Sequence, residues 1–268
     1  MNNSATLDQL QFDRGLHYGD GLFETIAIKS GKAELLTEHI NRLKESCDKL
    51  KFINIDFLKI TKEIEIKSKN ITKGVLKLIV TRGIGGRGYT IPDTMEANYL
   101  ILQYPWPEYS STNWINGVSV KKCKLVLSQQ PCLAGMKHLN RLENIIAKME
   151  LINSDHIEGI LCDTNQNVIE ATSSNIFIVK DKRVFTPNLN LCGVSGVMRD
   201  LVIKRAVEIQ LKINIKLVPY NILLNADEIF LTNSIIGIWP VSKLNERIYT
   251  DFSVTRSIMK LLNIEYNE

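Results

Sequence analysis

The chain has 268 residues, of which 44% are hydrophobic and 23% charged, enough apolar content to bury one large core or two modest ones and too much for a disordered chain. Its 33 Lys+Arg against 29 Asp+Glu leave a formal charge of +4, too small an excess for a nucleic-acid-binding stripe unless it is clustered. Five cysteines without a C-x-x-C pair, a polar amino terminus and the lack of a long apolar run exclude a disulfide framework, a zinc ribbon, a signal peptide and a membrane span, so a soluble cytoplasmic protein with reduced thiols is expected.

In chain order, Gly21 to Ile28 reads as a strand. Thr37 is the expected N-cap of a helix whose Ile40, Leu43, Cys47 and Leu50 form one apolar stripe. A second helix is predicted over Phe57 to Lys67, where Glu63, Glu65 and isoleucines break up the Lys-rich stretch between Lys59 and Lys77 into a solvated surface. Strands follow at Val75 to Thr81 and Asn98 to Gln103. The stretch from Tyr104 to Thr112, with Pro105 and Pro107, favours extended backbone and is the expected linker between two domains, 1–107 and 108–268.

Beyond it the pattern predicts short strands at Gly117 to Lys121, Gly159 to Cys162, Val168 to Ala171, Asn175 to Val179, Arg183 to Thr186 and Glu228 to Thr232. Helices are expected near Leu139 to Ile152, Val197 to Leu211 and Val254 to Leu262. Strands so closely clustered do not suit a repeating βαβ fold, and the pattern is α+β in both halves.

Gly83-Ile84-Gly85-Gly86-Arg87-Gly88 matches G-x-G-x-x-G after an apolar run. A dinucleotide fingerprint needs the third glycine to open a helix, with an acid about 20 residues on. Here Tyr89-Thr90-Ile91-Pro92-Asp93 is a turn, and the stretch Ile101 to Pro107 has no acid. A flexible hairpin presenting Arg82, Arg87 and Tyr89 is expected instead, with the arginines suited to carboxylates of an anionic substrate.

Four separated features fit pyridoxal 5'-phosphate, which needs a lysine, an anion cradle and a partner for its pyridine nitrogen. Gly193-Val194-Ser195-Gly196 leads into a helix, and N–H groups at a helix start with a Ser hydroxyl make a phosphate nest. Lys137 precedes an amphipathic helix, Glu170 ends a strand-like run, and Arg42 is expected on the helix face away from the apolar stripe, available to a phosphate. Taken one at a time, each of these also reads as an ordinary surface or helix-entry residue.

The run Glu170-Ala-Thr-Ser-Ser-Asn175-Ile-Phe177, with Val184-Phe-Thr186 and Val194-Ser-Gly196-Val-Met-Arg199, resembles the signature of the class IV aminotransferases, the fold type IV pyridoxal-phosphate enzymes. Asp13-Arg14-Gly15-Leu16-His17-Tyr18-Gly19-Asp20-Gly21-Leu22-Phe23-Glu24-Thr25 and His39-Ile40-Asn41-Arg42-Leu43 are similar to that family's first strand and phosphate-binding arginine. The resemblance implies an α+β, two-domain fold, with a small N-terminal α/β sandwich and a larger C-terminal pseudo-barrel. It also implies a homodimer and a small anionic substrate; from charge, composition and cysteine spacing, no metal, nucleic acid or membrane partner is expected.

Within the family, Arg82-Gly-Ile-Gly-Gly-Arg87-Gly-Tyr89 and Lys137-His-Leu-Asn-Arg-Leu-Glu143 are most similar to the aminodeoxychorismate lyase branch. Branched-chain aminotransferases usually carry Gly-Asn-Tyr shortly after the lysine, and Asn140-Arg141-Leu142 supplies no tyrosine. A D-amino-acid or branched-chain aminotransferase is the alternative. By resemblance, Lys137 holds the cofactor and then acts as base, and Glu170 faces the pyridine nitrogen. Arg42, Val194, Ser195, Asn233 and Ser234 are implied at the phosphate, and Arg87, Arg82 and Tyr89 at substrate carboxylates. Thr25 is expected near the leaving group from its place in the opening motif alone. The amino terminus is slightly short for the family, so the usual first strand is expected to be trimmed.

Overall fold

The computed structural model describes residues 11–91 and 95–264; the expected trimming of the first strand concerns positions outside these. The chain divides into two compact units, Met1–Pro107 with Met136–Asn140, and Glu108–Gly135 with Arg141–Glu268. The short segment around Lys137 therefore belongs to the first unit, although the sequence reading assigned all of 108–268 to the second.

The first described element of the first unit is one helical turn, α1 (Arg14–Tyr18), capped by the Asp13 carboxylate on Gly15 N and closed by Gly19 in the left-handed region. Strands β1 (Gly21–Lys29), β2 (Lys32–Ala33), β3 (Lys73–Thr81) and β4 (Asn98–Pro105) form an antiparallel sheet in the order β2-β1-β3-β4. Helices α2 (Leu36–Lys49) and α3 (Phe57–Ser68) bury Ile40, Leu43, Cys47, Ile60 and Ile64, and Leu22, Ile26, Ile28, Leu76, Leu78 and Val80 of the sheet are buried too. Alternation along β1 puts Leu22, Glu24, Ile26 and Ile28 on one face and Phe23 and Thr25 on the other. The expected Thr37 cap is replaced by Leu35, which enters α2 with φ +53° and no side-chain cap. Asp56 caps α3 by accepting from Lys59 N.

In the second unit, α4 (Thr112–Ile115), β5 (Val118–Leu127), α5 (Leu142–Met149), β6 (Glu158–Asp163), β7 (Val168–Ala171), β8 (Asn175–Lys180), β9 (Arg183–Pro187) and α6 (Val197–Ala206) are followed by β10 (Ile213–Lys216), α7 (Tyr220–Leu224), β11 (Glu228–Asn233), β12 (Gly237–Leu244), β13 (Arg247–Ile248) and α8 (Ser253–Leu261). The nine strands form one mixed sheet, β10-β9-β8-β11-β12-β5-β6-β7, with β13 on β12. It curls on itself: Val168 N at the β7 edge donates to Val218 O just past β10 at 2.7 Å, and Asn167 bridges Pro219. On one face of the sheet Phe177 stacks on Phe230, centroids 4.7 Å apart, and packs with Val202 of α6 and Ile258 and Met259 of α8; on the other face Trp239 makes an edge-to-face cluster with Trp114 and Tyr109.

Two differences from the sequence reading have physical causes. Strand β12 went unread because Pro240 sits within it, and proline argues against a central strand; here Pro240 lies opposite Phe230 of β11, and Val241 pairs with Val118 of β5. The helix predicted over Leu139 to Ile152 shortens to α5, and its stripe of Leu142, Ile145, Ile146 and Met149, with Ile152 beyond it, is exposed rather than packed.

Candidate active site

Of the residues implicated by the sequence, Thr25, Arg42, Arg82, Arg87, Tyr89 and Lys137 belong to the first unit. Glu170, Val194, Ser195, Asn233 and Ser234 belong to the second.

In the first unit the Lys137 segment runs beside β1 and is bridged to it at a single residue pair. Phe23 N donates to Lys137 O at 2.9 Å, Leu139 N donates to Gly21 O at 3.0 Å, and His138 bridges Leu22. Asn140 Nδ2 closes the segment on Gly19 O at 3.1 Å. This backbone pairing fixes the half-buried Lys137, whose Nζ stands 4.4 Å from the Phe23 ring centroid; Lys77 Nζ is 5.3 Å from the same ring. Thr25 shares the Phe23 face of β1, opposite Lys77 of β3.

Arg42 is not on an open helix face. Its side chain is 11% exposed and grips the buried Glu24 carboxylate, with Nε donating to Oε1 at 2.9 Å and Nη2 to Oε2. His39, one turn earlier on α2 and fully buried, donates from Nδ1 to Glu24 Oε2 at 2.6 Å. Burial pushes the Glu24 carboxyl up, but the Arg42 charge and the hydrogen bonds from His39 and Arg42 outweigh it and hold the group at about 2. Sequence reasoning missed Glu24 and His39 as partners of Arg42. The signal was present in the alternation of β1, which turns Glu24 to the same side as Ile26 and Ile28.

The expected hairpin of Arg82, Arg87 and Tyr89 also needs correction. Arg82 is buried: its Nε pairs with Asp20 at 2.8 Å, its Nη2 donates to Leu50 O at 2.9 Å, and its guanidinium lies 4.3 Å from the Phe52 ring centroid. That position ties the root of the loop to the end of α2 and is not one that offers a guanidinium to a substrate. Arg87 is exposed and Tyr89 is 82% exposed. Among the described residues no helix follows the third glycine before β4, in keeping with rejection of the dinucleotide fingerprint.

In the second unit Glu170, at the end of β7, is 4% exposed and accepts from Val194 N at 2.8 Å. Asn175 Nδ2 donates to Val194 O at 2.8 Å, so side chains hold both backbone polar groups of Val194. Ser195 N donates to Gly135 O, and Gly135 N to Gly193 O. The backbone donors named by the sequence are thus engaged within the cradle. The adjoining helix start is different: Gly196 is the N-cap of α6, and no side chain caps its first turn.

A side chain at Gly196 would place its Cβ 2.0 Å from Asn175 Oδ1. Opposite Asn175 on β11 is Thr232, whose buried Oγ1 has no hydrogen-bond partner in the structure. Asn233 Oδ1 accepts from Ile235 N and Ile236 N at 2.9 Å each, and its Nδ2 donates to Ser173 O, which shapes the turn that carries Ser234. An uncapped helix start beside an orphaned hydroxyl fits an oxyanion such as a phosphate. The signature Arg199 is structural, its Nη2 bonded to Pro187 O at 3.1 Å and its Nε to Thr186 Oγ1 at 3.3 Å, which joins α6 to β9. Among the described residues no cluster could hold a metal ion.

Comparison with known proteins agrees with this arrangement. The chain is 33% identical over 234 residues to an aminodeoxychorismate lyase of Vibrio harveyi, covering 87% of this chain and 86% of that one. It is 31% identical to a putative branched-chain-amino-acid aminotransferase of Methanocaldococcus jannaschii, over 93% of this chain and 87% of that one. Among solved structures, 4-amino-4-deoxychorismate lyase from Pseudomonas aeruginosa superposes with a TM-score of 0.91 at 40% identity, covering 96% of this chain and 95% of that one. The profile of the family described as amino-transferase class IV matches residues 21–244, and with the Glu170 to Arg199 signature folded into one cradle, the chain belongs to the class IV aminotransferases.

Proposed function

We infer that this chain is a pyridoxal-phosphate-dependent aminodeoxychorismate lyase, converting 4-amino-4-deoxychorismate to 4-aminobenzoate and pyruvate. The observation that carries the reading is the 40% identity over 96% of the chain to a solved lyase of that name, at a TM-score of 0.91. The Asn140-Arg141-Leu142 sequence after the lysine supports the lyase over a branched-chain aminotransferase. The 4-aminobenzoate product would serve folate synthesis.

The cofactor, when bound, supplies an electron sink for charge that develops on the carbon bearing the substrate amine. Lys137 would provide the amine that holds it and the base that takes the proton from that ring carbon. Glu170, fixed by Val194 N, would keep the pyridine nitrogen protonated. The start of α6 with Ser195, the turn at Asn233 and Ser234, and Arg42 would receive a phosphate carrying close to two charges. Arg87 and Tyr89 would meet the substrate carboxylates, and Thr25 would lie near the departing enolpyruvyl group. Loss of that group as pyruvate leaves an aromatic ring, which makes the reaction strongly downhill.

The test is turnover without an acceptor. Aminodeoxychorismate should give equal amounts of pyruvate and 4-aminobenzoate with no keto acid present. A strict requirement for a keto acid, with a new amino acid as product, would assign the chain to the aminotransferases.

A homodimer is part of the proposal. It is supported by the exposed stripe of Leu142, Ile145, Ile146, Met149 and Ile152, which a second copy would cover. Sedimentation at micromolar concentration should give twice the chain mass, and a monomer would overturn it. The five free thiols support a reducing, cytoplasmic setting, and among the described residues no helix is long and apolar enough to cross a membrane.

A further inference from the structure

The glycine-rich segment between β3 and β4 turns Arg87 and Tyr89 outward, yet the chain grips its backbone from a different element. Arg14, the first residue of α1, is 4% exposed, and its guanidinium is a fork with four bonds. Nε pairs with Asp20 at 2.9 Å, Nη1 donates to Gly88 O at 3.1 Å and Thr90 O at 3.3 Å, and Nη2 donates to Tyr89 O at 3.2 Å. Tyr18, one turn on, accepts from Gly88 N at 2.8 Å, and its ring meets the Tyr89 ring edge-on at 5.4 Å.

The root of the segment is tied as firmly. Arg14 N donates to Gly83 O at 2.9 Å, Gly85 N donates to Phe12 O at 3.1 Å, and Asp20 Oδ2 is shared between Arg14 and Arg82. The glycines would not supply this order themselves. A Cβ at Gly86 or Gly88 would meet nothing within 4 Å, and Gly88 has φ +100°, a conformation open to glycine and poor for other residues. Without Arg14 and Tyr18, residues 86–90 would have a wide choice of backbone states.

We propose that Arg14 and Tyr18 are positioning residues for substrate recognition: they lock the backbone of residues 88–90, so that Arg87 and Tyr89 stand preorganised for an anionic substrate and neither residue of the clamp touches that substrate itself. The proposal rests on the reading that Arg87 and Tyr89 bind the substrate. Arginine is the residue the geometry requires, because only a planar fork reaches three successive carbonyls and a carboxylate at once. The benefit is entropic, since a loop already held in its binding conformation loses less freedom when the substrate arrives.

Tyr18→Phe removes only the acceptor for Gly88 N, and Arg14→Lys keeps a cation beside Asp20 without the fork. Both are compared with Arg87→Ala in the cofactor-loaded enzyme. Tryptic cleavage after Arg87, followed by mass spectrometry, reads release of the backbone without reference to turnover. Cleavage is expected to accelerate about tenfold in each clamp variant, and KM for aminodeoxychorismate to rise about fivefold to tenfold. The kcat and the affinity for pyridoxal phosphate should stay within about twofold, and Tyr18→Phe should add little to KM in an Arg87→Ala background. Unchanged cleavage and KM in both clamp variants, with a raised KM in Arg87→Ala, would overturn the clamp alone. Cofactor affinity falling in step with KM would reduce the clamp to general stability and overturn the positioning role. An Arg87→Ala enzyme with wild-type KM would overturn the substrate role of Arg87, and the positioning role with it, even where cleavage accelerates.

Discussion

Replacing Glu24 by Gln isolates the charge that organises the core of the first unit. The carboxylate is 1% exposed and accepts from both Arg42 and His39. Its hold at about 2 rather than 4.5, at about 1.4 kcal/mol per pH unit, corresponds to stabilisation on the order of 3 kcal/mol. Glutamine preserves the shape, removes the charge and turns an NH2 group toward Arg42, leaving a buried guanidinium short of an acceptor. The thermal midpoint at pH 7, followed by circular dichroism, is expected to fall by on the order of 10 °C.

The pH dependence gives the sharper comparison. Because folding depresses this pKa, the contribution is complete above about 4.5 and is lost as the pH falls toward about 2. Wild type should therefore lose stability faster than Glu24→Gln across that window, and the gap between them should close. A gap under about 1 kcal/mol at pH 7, or one that stays constant down to the acid end, would refute the assignment of an ionised, paired Glu24.

Three further outcomes are expected. Gly196→Ala drives a methyl group to 2.0 Å from Asn175 Oδ1, and titration of the visible absorbance should show cofactor affinity about tenfold weaker or worse; affinity within twofold of wild type would count against a phosphate at the start of α6. Arg82→Ala leaves Asp20 without one of its two cations and should lower stability in denaturant by about 2 kcal/mol, whereas a change confined to KM would restore it to the substrate site. Lys137→Ala should abolish borohydride-fixed cofactor at that position and reduce turnover by about 10³-fold, and cofactor fixed at another lysine would refute its role.

The sequence was readable where local chemistry is repeated by the fold. Strand β1, helices α2 and α3, and the strands from β6 to β9 follow from apolar period and turn residues. The cradle at Glu170, Val194 and Gly196 follows from a glycine-rich entry to a helix. Charged residues were harder, because a buried arginine and a surface one have the same letter. Arg82 was read as available to substrate and Arg42 as lying on an open helix face, and only the tertiary fold supplies Asp20 from just past α1 and Glu24 from the inner face of β1. The stripe of α5 was legible as amphipathic, but periodicity does not say what covers an apolar face, and within one chain this stripe is exposed.

The assignment of Met136–Asn140 to the first unit has a consequence for the order in which the protein can form. During synthesis, residues 1–107 emerge as a continuous stretch, yet the backbone N–H of Phe23 and the carbonyl of Gly21 lack their partners until Lys137 and Leu139 have been made. The first unit therefore cannot finish folding on its own stretch of chain. A fragment ending at Pro107 would carry an unpaired stretch of β1 and no Lys137, so the two units should not be separable into a stable amino-terminal piece by cutting at the Pro105 to Pro107 segment. Co-expression of 1–107 with the remainder, rather than either alone, is the arrangement this topology would tolerate.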